Sequence, residues 1–356
     1  MKIIFDVLHL YYLPQYLPVR DELIKAGHQV YFVFYKTSDP SLNEICQSVI
    51  NKENLDCFLA DDWSQALSFY LEQKASWIIF GNAVEQIDVI HSVSKTAMML
   101  HGIGPKAVYY EMPKKPMTVR FVEGEYRLNR LKGMHPNDKF IDTGYAKLDP
   151  AIQSDNNGVN LSDLGLDPNK KTILYAPTFY PSSLECMPKN LPQMLSEYNL
   201  ILKPHFFSLI KTKYKKHSKI LKRWQQADNV YLCDVEDYNL VPFMGVADVM
   251  LSDASSAIFE FAALNKPVIW CDFYKLRWSY RGIFSYRFKQ RVDSDIQYFE
   301  QVGWRIQSPT ELVDTIVGSL KETDAKVQQR AKVISQLAGR VDGQSANRVV
   351  DYLTNN

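Results

Sequence analysis

Five consecutive residues, Ser252-Asp253-Ala254-Ser255-Ser256, put three hydroxyls and a carboxyl between two apolar runs. Ala247 to Leu251 precedes them, and Ala257-Ile258-Phe259-Glu260-Phe261-Ala262-Ala263 follows. Ser and Asp are favoured helix N-caps, and the free amides and positive end of a helix start attract anions. In an open α/β sheet such a turn, at the carboxyl end of a strand, is where ligands bind. The spacing therefore predicts strand, turn and helix, with a phosphate or diphosphate as ligand.

Other strand-end loops carry complementary groups. His101-Gly102-Ile103-Gly104-Pro105-Lys106 follows the apolar Ala97 to Leu100. Gly102 and Gly104 let backbone approach a ligand, Lys106 balances negative charge, and the imidazole of His101 titrates near neutrality, as proton transfer requires. A plain turn with a satisfied histidine remains open on this pattern alone. Lys203-Pro204-His205 ends the run Leu200-Ile201-Leu202, placing a cation and an imidazole beside a rigid turn; a capping histidine is the alternative. Lys147, in Gly144-Tyr145-Ala146-Lys147, and Thr178, in Tyr175-Ala176-Pro177-Thr178, add a cation and a hydroxyl. Donors and cations gathered in a water-poor cleft stabilise developing phosphoryl charge, and phosphoryl transfer asks for positioning and electrostatics above all. No acidic metal-ligand cluster accompanies them, so a metal site is not expected and a divalent ion is compatible without being indicated.

These loops need a scaffold. Strands are expected at Lys2 to His9, Gln29 to Tyr35, Cys57 to Leu59, Trp77 to Phe80 and Lys95 to Leu100, alternating with helices at Leu17 to Ala26, Pro40 to Asn51 and Trp63 to Glu72. A polar stretch at Asp155-Asn156-Asn157-Gly158 marks a boundary. A second series follows, with strands at Thr172 to Ala176, Asn199 to Lys203, Val230 to Cys233 and Ala247 to Leu251. Its helices are expected at Leu191 to Glu197, Ser208 to Gln226 and Leu240 to Gly245, and a polar helical region fills Thr310 to Leu353. The alternation predicts an α/β protein of two doubly wound, Rossmann-like domains facing across a cleft. Their expected limits are 1–154 for an acceptor-side domain and 155–335 for a nucleotide-donor domain, with a helix in 336–356 crossing back to the first.

The 356 residues are 46% hydrophobic and 23% charged, as in a globular protein with two cores. A net charge of +1 gives no general case for nucleic acid. Five scattered cysteines and the absence of a signal-peptide pattern or spanning apolar run lead to an expected cytoplasmic location. The stretch Lys211 to Trp224 sets seven lysines and arginines among Tyr214, Ile220, Leu221 and Trp224. It reads either as a solvated helix face or as a contact for an anionic membrane or lipid-diphosphate acceptor. The basic, aromatic Tyr274 to Gly282 reads as an acceptor-side or a packed loop.

In that order, His101-Gly102…Lys106, Gly144-Tyr145…Lys147-Leu148-Asp149, Ile173 to Thr178, Leu202-Lys203-Pro204-His205 and Ala247 to Ser256 resemble the CDP-glycerol glycerophosphotransferases of teichoic-acid and capsule synthesis. The resemblance covers roughly residues 95 to 275 and implies a GT-B fold. It implies transfer of glycerol phosphate, or a related alditol phosphate, from a CDP-alditol donor to a saccharide or lipid-diphosphate-linked acceptor, at the inner membrane face. By the same resemblance His101 is the base, His205 lies near the donor diphosphate, and the Ser252–Ser256 turn binds that diphosphate. Three departures stand out: Ile103-Gly104-Pro105 for Thr-Pro-Leu, Phe206 for Pro, and Glu260 where Asp is common. Set beside the family's polymerases, the sequence is expected to do without their long amino-terminal membrane-binding extension. Alternatives with other chemistry are a sialyltransferase-like glycosyltransferase, a UDP-sugar 2-epimerase and a non-catalytic scaffold.

Overall fold

The computed structural model describes residues 1–104, 110, 116–153, 159–276 and 294–356. The chain forms two compact units, one of Met1–His101, Val108–Ile152 and Gln336–Asn356, the other of Gly102–Ala107 and Gln153–Ser335.

The first unit is built on seven strands: β1 (Lys2–Val7), β2 (Gln29–Tyr35), β3 (Cys57–Ala60), β4 (Trp77–Phe80), β5 (Lys95–Met99), β6 (Val119–Val122) and β7 (Phe140–Asp142). Their spatial order is β3-β2-β1-β4-β5-β6-β7, and every pairing is parallel. Order reverses between β1 and β4, so loops leaving β1, β4 and β5 share the crevice where ligands collect in such sheets. The helix Ser345–Asn355 belongs to this unit. Its Val349, Val350 and Leu353 are buried, and the Leu353 carbonyl accepts the indole N–H of Trp77 at 3.0 Å. Burying three such side chains contributes roughly 1.5–3 kcal/mol each.

The second unit repeats the pattern with β8 (Thr172–Ala176), β9 (Asn199–Leu202), β10 (Val230–Leu232), β11 (Val249–Ser252), β12 (Val268–Cys271) and β13 (Trp304–Ile306), ordered β10-β9-β8-β11-β12-β13 and again all parallel. Residues of β8, β9, β11 and β12 are buried at nearly every position, as strands covered on both faces must be. Here β8 lies between β9 and β11, which brings the loops after Ala176, Leu202 and Ser252 side by side.

Several elements differ from their expected extent. The first strand stops at Val7, and Leu10–Tyr12 forms a short 3-10 turn. The helix expected over Leu191 to Glu197 ends at Met194, where the Asn229 amide donates to the carbonyls of Leu195, Tyr198 and Pro192 at 3.0–3.2 Å and draws the chain into a turn. The basic helix expected over Ser208 to Gln226 is three pieces, Phe207–Ile210, Thr212–Tyr214 and Lys215–Trp224, because Lys211 is extended. The region Thr310 to Leu353 likewise divides into Leu312–Ser319, Asp324–Leu337 and Ser345–Asn355.

Candidate active site

In the second unit, the turn after β11 divides its residues between inside and outside. Ser252 is fully buried and its hydroxyl donates to the Ala176 carbonyl at 2.8 Å, tying β11 to the end of β8. Asp253 is also fully buried. Its Oδ2 accepts the Thr178 N–H at 2.8 Å, with Thr178 Oγ1 at 3.1 Å; its Oδ1 accepts the Ser183 N–H at 3.0 Å and the Ser183 hydroxyl. Burial pushes this carboxyl up to about 6, while the Ser183 and Thr178 hydrogen bonds pull the other way. Ala254, Ser255 and Ser256 are half-buried and mark where the turn reaches its surface. Ser255 Oγ accepts the Ala257 N–H at 3.3 Å, at the start of the helix Ala257–Ala263. Glu260 is buried in that helix.

The neighbouring loops are registered on this turn. Thr178 Oγ1 lies 2.5 Å from the Pro181 carbonyl, so its single proton serves that bond and the backbone amide makes the firm bond to Asp253. The His205 N–H donates to the Pro177 carbonyl at 3.1 Å. Phe179 meets the His205 ring edge-on, with centroids 4.6 Å apart, and Phe206 and Phe207 each approach it at 4.8 Å. The Phe207 N–H donates to His205 Nδ1 at 3.2 Å. A backbone amide can only donate, so Nδ1 carries no proton and the neutral ring holds its hydrogen on Nε2. His205 is therefore arranged as a donor through Nε2, the form suited to a phosphate oxygen. Lys203 is half-buried at the end of β9.

In the first unit, His101 follows β5 and its carbonyl accepts the Tyr145 hydroxyl at 2.6 Å. Its ring stacks on Tyr12 at 5.1 Å and meets Tyr11 at 4.6 Å. Gly81 makes this possible: a Cβ there would come 2.4 Å from the Tyr12 ring. His9 stacks on Tyr11 at 4.8 Å, and although its outer edge is exposed, this packing lowers its pKa through desolvation. His9, Tyr11, Tyr12 and Asn82, whose Oδ1 lies 3.4 Å from the Tyr12 hydroxyl, were not singled out from the sequence. His9-Leu10-Tyr11-Tyr12 directly after an apolar strand was the available signal. The Lys147 N–H donates to Gln15 Oε1 at 2.8 Å and fixes the loop after β7.

Of the remaining expected residues, Gly102 is buried and Gly104 has φ +111°; a Cβ on Gly104 would come 2.5 Å from the Phe259 ring. Its small size thus admits the helix behind the Ser252–Ser256 turn. Lys106 lies outside the described residues, as does the basic loop from Arg277 onward. A Ser208–His217–Glu185 alignment, with both gaps 3.1 Å, has the look of a nucleophile triad. Ser208 is fully buried, so the alignment is a lock between loop and helix. A cavity of about 400 Å³ lined by Asp167, Lys170, Asn199 and Asn229 sits at the amino ends of β8 to β10, the end of the sheet opposite these loops. Among the described residues no group of three or more His, Cys, Asp or Glu is placed to hold a metal ion.

Comparison with known proteins gives these features a context. A family model described as CDP-glycerol:poly(glycerophosphate) glycerophosphotransferase matches residues 111–355. A teichoic acid glycerol-phosphate primase of Bacillus spizizenii is 32% identical over 134 residues, covering 37% of this chain and 33% of that protein. A teichoic acid glycerol-phosphate transferase of Staphylococcus aureus is 23% identical over 259 residues, covering 67% and 59%. The matched segments thus span between a third and three fifths of these relatives' own length. Among solved structures, the wall teichoic acid polymerase TagF superposes with a TM-score of 0.68 at 16% identity, covering 99% of this chain and 88% of that one. A UDP-GlcNAc 2-epimerase from Neisseria meningitidis gives 0.64 at 13%, with complete coverage of both. At such identities the likeness is one of fold, the two-domain GT-B architecture.

Proposed function

Since the chain belongs to the CDP-glycerol:poly(glycerophosphate) glycerophosphotransferase family, we propose that it moves glycerol phosphate from CDP-glycerol to a hydroxyl of a cell-wall polymer or lipid-linked saccharide. In this reading the acceptor oxygen attacks the β-phosphorus, its proton passes to His101, and the bridging P–O bond breaks to release CMP. Charge gathers on the bridging and non-bridging oxygens. Lys203, the Nε2–H of His205 and the hydroxyls and amides at Ser255 and Ser256 stabilise it; such preorganised donors contribute about 3–4 kcal/mol each. His101, Gly102, Gly104, Lys106 and Lys147 serve the acceptor side. Ser252, Asp253, Thr178 and Glu260 shape the donor turn from within.

The observation that carries the reading is the family match across residues 111–355, which includes His205 and the Ser252–Ser256 turn. The fold alone supports an epimerase equally, so donor preference is the test. CDP-glycerol should bind in calorimetry and a UDP-sugar should not; the reverse order would favour the epimerase.

We further propose peripheral contact with an anionic membrane through the helix Lys215–Trp224. Lys215, Lys216, Lys219, Lys222 and Arg223 are exposed, while His217, Leu221 and Trp224 face inward. At 3.6 residues per turn the five cations share an arc of about 120°. None of them forms an ion pair among the described residues. Each cation near an anionic surface contributes about 1 kcal/mol. Binding to phosphatidylglycerol vesicles that fades with added salt supports this contact; equal binding to neutral vesicles contradicts it.

A further inference from the structure

We propose that Asp253 is a positioning residue: it grips the loop Pro177–Ser183 so that this loop holds His205 in its Nε2–H tautomer at the donor diphosphate. The inference deepens the glycerophosphotransfer reading and rests on it for the identity of the donor.

The grip has few degrees of freedom. Proton counting orders its bonds. Ser183 Oγ–H points at Asp253 Oδ1, so the Tyr175 hydroxyl, 2.8 Å from Ser183 Oγ, must donate to that oxygen. The result is a relay from Tyr175 through Ser183 to the carboxylate, with the Thr178 and Ser183 amides closing the remaining positions. All these groups are donors, so the arrangement calls for an ionised acceptor. A neutral side chain of the same shape would turn an NH2 toward an N–H or O–H.

Two links lead on to His205. The Pro177 carbonyl, one residue before Thr178, accepts the His205 N–H at 3.1 Å. The Phe179 ring, one residue after, packs edge-on against the imidazole at 4.6 Å. Thr178 lies between these two contacts, and Asp253 Oδ2 holds its amide at 2.8 Å. If this loop moves, both the backbone and the ring of His205 lose their reference, and the 3.2 Å bond from Phe207 N–H to Nδ1 no longer selects one tautomer. Just beyond the loop, the 3-10 turn Ser183–Glu185 is anchored at Glu185 by His217.

The test reads the imidazole nitrogens of His205 by 15N NMR in the full-length protein, with a His205→Gln sample to assign the signals. In the native protein Nδ1 should be pyridine-like and Nε2 pyrrole-like. Asp253→Asn should give averaged nitrogen shifts from mixed tautomers. It should also lower kcat about 10- to 100-fold, as misplacement of a reacting group does, with little change in the KM for CDP-glycerol. Should Asp253→Asn fail to fold, Ser183→Ala keeps the carboxylate, removes its hydroxyl donor and should give the same averaging. Unchanged His205 signals in a folded variant would overturn the proposal, as would lost CDP-glycerol binding with the tautomer intact, which would make Asp253 a direct ligand. The tautomer is read without substrate, so absence of CMP release from the native protein would refute the functional reading and leave this one standing.

Discussion

At the scale of single residues, the two histidines are held in different ways. His205 has Nδ1 occupied by a backbone amide, which makes it a donor. His101 is held through its carbonyl and its ring faces. We predict that His101→Ala lowers kcat by about 10²–10⁴-fold, the usual contribution of a general base. His205→Ala should cost about 10²–10³-fold, as loss of a charge-stabilising donor does. Steady-state kinetics with CDP-glycerol check both, and full turnover by His101→Ala would remove it from the mechanism. The positions of both histidines just beyond β5 and β9 were legible in the sequence because each follows an apolar run. The division of labour inside Ser252–Ser256 was not. Residue types suggested four outward side-chain ligands, whereas Ser252 and Asp253 hydrogen-bond inward to Ala176, Thr178 and Ser183. Partners so distant in sequence leave no local signal. The tautomer of His205 is set by an amide two residues away, a matter of loop geometry alone.

At the scale of elements, strands buried on both faces announced themselves as unbroken apolar runs, and β2, β4 and β8 match their expected limits residue for residue. Those that escaped carry a charge in the run. Arg120 sits inside β6 and is buried, and Arg305 inside β13 pairs with Asp272 and Glu300. Gly104 links element to site. Its positive φ costs a side chain about 1–3 kcal/mol, and overpacking against Phe259 adds about 1–3 kcal/mol. Gly104→Ala should therefore destabilise the protein by roughly 2–6 kcal/mol in urea titration. A change below about 0.5 kcal/mol, the usual range of neutral surface substitutions, would mean that the Gly104–Phe259 contact does not form.

At the scale of the whole molecule, each unit buries a carboxylate among hydroxyls at the carboxyl end of a strand, Asp6 in β1 and Asp253 just after β11. Asp6 in β1 accepts Tyr35 at 2.5 Å and Tyr70 at 2.6 Å, and Asp253 is bonded through Thr178 and Ser183 to the loop after β8. Burial pushes both up to about 6 despite these bonds. An unfolded Asp titrates near about 3.9, so the folded chain binds more protons between those values and stability falls as pH rises from about 4 to about 6. Urea midpoints across that range check the sign, and Asp6→Asn should flatten part of the slope. A rising midpoint would mean that other groups dominate. Phosphorus NMR of a mixture of protein, CDP-glycerol and a lipid-linked saccharide acceptor follows the proposed reaction itself. Glycerophosphotransfer should give loss of the diphosphate signals, appearance of CMP in step with a new phosphodiester, and neither change in His101→Ala. Persistence of intact CDP-glycerol with every acceptor hydroxyl, or release of CMP without a new phosphodiester, would contradict it.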